Sequence, residues 1–144
     1  MMNLMGFETN TIEAKRFSKP GEHMANIRID HNSTVTQVNR ASDRTASVEF
    51  RFTVNYVGLG FIKIEGTVLL EGDVDALIKE WTTTASMPNE DANIVHNVVV
   101  SNCIPTALLI ARDIRLPPPF PLPRINVEKK AAPGPRTSPG PEFA

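Results

Sequence analysis

A chain of 144 residues, 41% hydrophobic and 22% charged, is long enough for one domain with its own core and needs neither disulfides nor metal to fold. Its net charge of −1 argues against a nucleic acid or a membrane surface held mainly by charge. A single cysteine, Cys103, excludes an internal disulfide and a Cys-rich zinc site, and this usage fits a reducing cytoplasm.

Residues 1–8 lack the basic and apolar regions of a signal peptide and are expected to form a flexible N-terminus. Residues 9–18 read as a short strand, with Ile12 and Ala14 on one face and Phe17 on the other. A turn at Lys19–Glu22 leads to a second strand over 25–38, where Ile27 and Ile29 alternate with Arg28 and Asp30. Val35 and Val38 differ in parity, so the pattern requires a bulge, placed near Asn32–Thr34. The clearest strand follows a polar turn at 39–45: Val48, Phe50, Phe52, Val54 and Tyr56 share one face. Gly58-Leu59-Gly60 closes a hairpin onto a fourth strand with Ile62, Ile64, Val68 and Leu70 inward. Four such strands make an antiparallel sheet.

At Asp73 the hydrophobic period changes from two to about 3.6. Asp73 reads as the N-cap of a short helix with Val74, Leu77, Ile78 and Trp81 on one stripe. Thr82–Pro88 reads as a linker, and Asn89 as the cap of a long helix. That helix is apolar nearly all round from Val98 to Ala111, so one side is expected to meet the sheet and the other a second subunit. Val99, Cys103, Thr106 and Ile110 are the candidate interface residues. Pro105 is expected to kink it near Ser101–Cys103. The apolar stretch around Val98–Ile114 carries Ser101, Asn102, Arg112 and Asp113, too short and too polar to insert in a bilayer. From residue 128 the composition turns to Pro and Gly, which predicts a disordered tail over 128–144 behind a domain of 9–127. The expected fold class is α+β.

No catalytic or cofactor motif emerges. His96 and Cys103 share a helix face but stand about 10.5 Å apart along the axis, too far for a thiolate–imidazole pair. Asp30-His31-Asn32-Ser33 carries the letters of a catalytic triad, yet neighbours on a strand point to opposite faces. The two glycines of Gly58-Leu59-Gly60 lead into a strand and form no dinucleotide loop. His23, His31 and His96 have no metal-ligand spacing. The expectation is therefore a non-enzyme without metal or cofactor. The run Leu116–Arg124, rich in proline, suits either a partner's aromatic groove or a stiff path over the chain's own sheet; Leu116, Phe120, Leu122 and Ile125 favour the second.

Four strands, a short helix and a long helix, with Cys103-Ile-Pro-Thr-Ala-Leu-Leu-Ile-Ala-Arg112-Asp-Ile114 inside the last, resemble the SecB export-chaperone family. NIRIDHNST, from Asn26, resembles the start of that family's second strand, and Leu116–Val127 its proline-containing stretch. The resemblance implies a cytoplasmic, homo-oligomeric holdase, a dimer or tetramer that binds non-native polypeptides without ATP. It places Phe17, Met24, Tyr56, Phe61, Trp81, Phe120 and Leu122 as candidate peptide-groove residues. The chain departs from the family in ending on a Pro-rich tail instead of a metal-binding end, and in its near neutrality. Both features serve docking to the SecA motor in that family, so a Sec motor partner is in doubt. A dedicated interaction module, with an antitoxin-type client for example, is the alternative.

Overall fold

The computed structural model describes residues 2–17 and 27–121. Four strands precede two helices: β1 (Asn3–Arg16), β2 (Ile29–Arg40), β3 (Thr45–Tyr56), β4 (Gly60–Glu71), α1 (Val74–Thr84) and α2 (Asn89–Asp113). All strand pairs are antiparallel and the sheet order is β1-β4-β3-β2, which gives the expected α+β fold. The two strands with the cleanest alternation take the centre. Every second residue of β3 from Ala46 to Tyr56 is buried, and so is every second residue of β4 from Gly60 to Leu70. Central strands lose exposure from both neighbours, so a strict apolar alternation is what that position demands. Gly66 interrupts the apolar row of β4, and Phe50 from the paired position of β3 fills the space. Phe7 of β1 stacks on Phe50 at 5.3 Å between ring centroids, so aromatic area replaces the missing side chain.

The edge strands differ most from expectation. β1 begins at Asn3 rather than Thr9, so residues 3–8 are a paired strand and not a flexible N-terminus. Met2 is buried, and its backbone N–H donates to the buried carboxylate of Asp91 at 2.9 Å. Main-chain pairing with β4 holds this segment. Two register shifts, at Leu4/Gly6 and Thr9/Thr11, break the alternation that would have announced it. β2 contains the required bulge, but between Val35 and Gln37. There it turns both Val35 and Val38 toward the core.

Asp73 caps α1 as expected, its Oδ1 accepting from the Ala76 N–H at 3.1 Å. The helix runs into the predicted linker because Thr82 and Thr84 return their hydroxyls to the Ile78 and Glu80 carbonyls. α2 is capped by Pro88, not Asn89, and is continuous through Pro105. Its buried row is Asp91, Val95, Val99, Cys103, Ala107 and Ala111, one residue in every four. Steps of four drift about 40° around a helix with 3.6 residues per turn. The seam therefore slants, and α2 touches all four strands. Val99 and Cys103, expected at a subunit interface, are instead wholly buried inside the protomer on this row; Thr106 and Ile110 flank it, half-buried. Leu109, 55% exposed, and Val100 remain outside. At 25 residues, α2 as a whole is long and apolar enough to cross a bilayer, contrary to the expectation for 98–114 alone; here it lies along the sheet.

The chain leaves α2 through a Schellman turn. The Leu116 N–H bonds the Ala111 carbonyl at 2.8 Å and the Arg115 N–H bonds the Arg112 carbonyl at 3.3 Å. The turn needs a left-handed residue, and Arg115 supplies it at φ 59°. Pro117 follows a stop that is already made. Because a Cβ is penalised at that angle, Arg115→Gly is expected to raise stability by about 1 kcal/mol, read as a higher urea midpoint with unchanged slope.

After the turn, residues 116–121 cross the end of the sheet. Proline carbonyls are their handles: Tyr56 Oη donates to the Pro117 carbonyl at 2.7 Å, and the His31 imidazole contacts that of Pro119. Arg16 reaches the Ile114 and Arg115 carbonyls from β1. Leu116 and Pro119 are buried and Phe120 is half-buried, so residues 116–121 pack on their own domain; Leu122 and Ile125 lie outside the described residues.

Candidate functional site

A concavity with a mixed polar and apolar wall lies where β2, the end of α1 and the start of α2 meet. It is a cavity of about 400 Å³ lined by Ser33, Val35, Trp81, Met87, Asn89 and His96, with Thr34, Ala85, Ser86 and Ala92 completing the wall. Each element contributes for a local reason. β2 is an edge strand, so alternate backbone N–H and C=O groups face away from β3. Trp81 closes the apolar stripe of α1 and is only partly covered. Ala85, in a left-handed conformation at φ 57°, turns the chain so that Met87 packs inward between the helices.

At the wall of this cavity Ser33 Oγ and His96 Nδ1 hydrogen-bond at 2.7 Å, although 63 positions separate them. Serine beside histidine suggests nucleophilic catalysis, which also requires a group that orients the imidazole. Among the described residues no carboxylate bonds His96; its contact is the Ser33 hydroxyl alone. The described geometry is thus a serine–histidine hydrogen bond without the orienting group of a triad. Cys103 stands apart from it on the buried row of α2. Burial pushes its thiol up to about 11, so it is a neutral core residue at physiological pH. The described residues contain no cluster of three or more His, Cys, Asp or Glu able to hold a metal.

The seven candidate groove residues do not converge. Trp81 alone lines the cavity. Phe17, 56% exposed, directly follows β1, with its ring centroid 6.0 Å from that of Phe61 and the Lys15 ammonium 6.0 Å from its own. Tyr56 is 1% exposed and serves the core and the crossing segment, so it is no groove residue. Phe120 is half-buried on that segment. Met24 and Leu122 lie outside the described residues, as does the predicted tail. Sequence reasoning missed Ser33, Met87, Asn89 and His96. Their one signal, a serine and a histidine with no local partner, carried no distance.

A second concavity of about 400 Å³, nearly all apolar, lies between the last turns of α2 and the crossing segment, lined by Leu108, Leu109, Ala111, Arg112, Leu116 and Pro118. The open face of the sheet is polar by contrast. Arg51 pairs with Glu65 at 2.9 Å and Lys63 with Glu13 at 3.1 Å, exposed pairs of little energetic weight.

Sheet order, helix order and the slanted α2 can be set against solved proteins. The fold is like that of a SecB-like chaperone. One similar structure is the Mycobacterium tuberculosis SecB-like chaperone Rv1957 in complex with a ChAD peptide from the HigA1 antitoxin Rv1956. The TM-score is 0.55 over 81% of this chain and 83% of that one, at 9% sequence identity. No protein-family model matches the chain, and no curated protein matches it by sequence. The likeness is one of fold.

Proposed function

We propose that this protein is a SecB-like chaperone that binds non-native polypeptide in extended form, without ATP, as a homo-oligomer. The observation that carries the reading is the shared fold with a chaperone solved on a peptide, together with a cavity beside an open strand edge. An extended segment running along β2 gains main-chain hydrogen bonds that tolerate any sequence, and the cavity takes one of its side chains. The apolar outer side of α2, with Val100 and Leu109 exposed, supports assembly of copies.

The test is aggregation of an unfolded client followed by light scattering, with the oligomeric state measured on the same sample. A monomer that neither delays aggregation nor binds unfolded polypeptide overturns the reading. Trp81→Ala is expected to weaken client binding by about 2 kcal/mol, roughly thirtyfold, because an aromatic in a pocket is the usual anchor of such a surface. Far-ultraviolet circular dichroism checks that the variant is folded.

A dedicated client is the alternative, supported by the antitoxin peptide held by the similar structure. It predicts one tight partner and no suppression of general aggregation. The proline-rich segment is a poor ligand for such a partner, since Tyr56 and His31 already hold its carbonyls.

A further inference from the structure

We infer that the cavity between β2 and the two helices selects a tyrosine side chain from the bound polypeptide, with His96 as the residue that determines the selection. This rests on the proposed peptide-binding role and narrows it to a class of segment.

The inference begins with what the Ser33–His96 bond leaves over. If Ser33 Oγ donates to Nδ1, the imidazole carries its proton on Nε2 and has a donor to spare; if Nδ1–H donates to Oγ, Nε2 is a spare acceptor. In either tautomer one ring nitrogen has no protein partner among the described residues. Water serves it while the cavity is open. An occupant that displaces the water must replace that bond or leave a polar atom stranded, and a stranded atom costs more than a bond ordinarily contributes.

The remaining walls set the rest of the occupant. Trp81, Val35, Met87 and Ala92 offer an aromatic face, a thioether and aliphatic carbon. Such walls suit a flat apolar body, and sulfur beside a ring is itself favourable. About 400 Å³ admits one large side chain with the backbone that carries it. A phenol joins both requirements: its ring fits the apolar wall and its hydroxyl donates or accepts as the tautomer of His96 demands. Phenylalanine and leucine fill the walls but strand the imidazole. Lysine and arginine donate only and so serve only one tautomer. No carboxylate lines the cavity to offset their charge.

The test uses short unstructured Ser/Thr/Val peptides with one central Tyr, Phe or Leu, titrated into the full-length protein. Trp81 is the single tryptophan of the chain and lines the cavity, so its fluorescence, excited where tyrosine is silent, reports occupancy directly. The Tyr peptide is expected to bind about tenfold tighter than the Phe peptide, and His96→Phe to reduce that preference to less than twofold. Equal affinity for Tyr and Phe on the unaltered protein overturns the inference, as does a preference that survives His96→Phe. The first comparison needs no variant, so misfolding cannot obscure it. Failure of every peptide and of an unfolded client to bind overturns the chaperone reading instead. Binding without Tyr preference overturns the selection alone.

Discussion

Gly66→Ala is expected to cost 4 kcal/mol or more, enough to unfold the protein at physiological temperature. Position 66 pairs with Thr9 of β1 on one side and Phe50 of β3 on the other. A Cβ there would fall inside the contact distance of the Glu8 carbonyl oxygen and 2.9 Å from Phe50 Cζ. The Phe50 ring has no room to retreat, because it is buried and stacked on Phe7. The Glu8 carbonyl is main chain, so relief requires β1 to leave β4. Overpacking usually costs 1–3 kcal/mol; a clash with backbone belongs to the larger effects. Gly58→Ala is the control. That residue has φ +80° and open space around it, so its cost is backbone strain alone, about 1 kcal/mol. Urea denaturation of the two variants separates these mechanisms, and a Gly66→Ala midpoint close to that of Gly58→Ala would show that β1 is not held as described.

The second large effect is alkaline destabilisation. Burial pushes the Tyr56 phenol up from 10.0 to about 12 and the Cys103 thiol from 9.0 to about 11. In both cases the fold favours the protonated, neutral form, so the native state binds more protons than the unfolded chain between the two values. Stability from Cys103 is therefore complete below pH 9 and lost as pH rises toward 11. That from Tyr56 is complete below pH 10 and lost toward 12. Each contributes on the order of 2 kcal/mol at full ionisation. Unfolding free energy is expected to fall steeply above pH 9, and the slope to flatten in stages with Cys103→Ala and Tyr56→Phe. Tyr56→Phe also removes the hydrogen bond to Pro117, so it lowers stability at neutral pH by about 1 kcal/mol. A double variant with the same alkaline slope as the parent would place the responsible groups elsewhere.

Legibility followed the strictness of the local rule. In β3 and β4 every second side chain is apolar because both neighbours and α2 cover that face, so composition alone carries the register. The Asp73 cap was readable for a similar reason: a carboxylate before an apolar helical stripe has few other uses. β1 was half hidden, since two bulges in a fourteen-residue strand put Leu4, Phe7, Ile12 and Ala14 out of step in the sequence, although all four pair with inward-facing residues of β4. On α2 the residue types are apolar all round. Only the slant of the helix across the sheet shows that Val99 and Cys103 face inward while Val100 and Leu109 face out.

The candidate site was the least legible part. Trp81 could be singled out as a large aromatic at the end of a short helix, but its neighbours could not. Ser33 and His96 each invited a local reading, Ser33 with His31 and His96 with Cys103, and strand and helix geometry rejected both. Their actual partnership depends on how α2 enters across the edge of β2, a distance that no local pattern encodes.

By itself, then, the sequence determined the strand and helix types, the α+β class, the inward faces of the two central strands and the need for a bulge in β2. Periodicity records which face of an element is buried, and turn residues record where elements end. Only the tertiary structure decided the sheet order, the early start of β1, the slanted seam of α2 and the cavity that holds Ser33, Trp81 and His96. Those features arise from contacts between elements distant in sequence, where packing and backbone pairing outweigh any local preference.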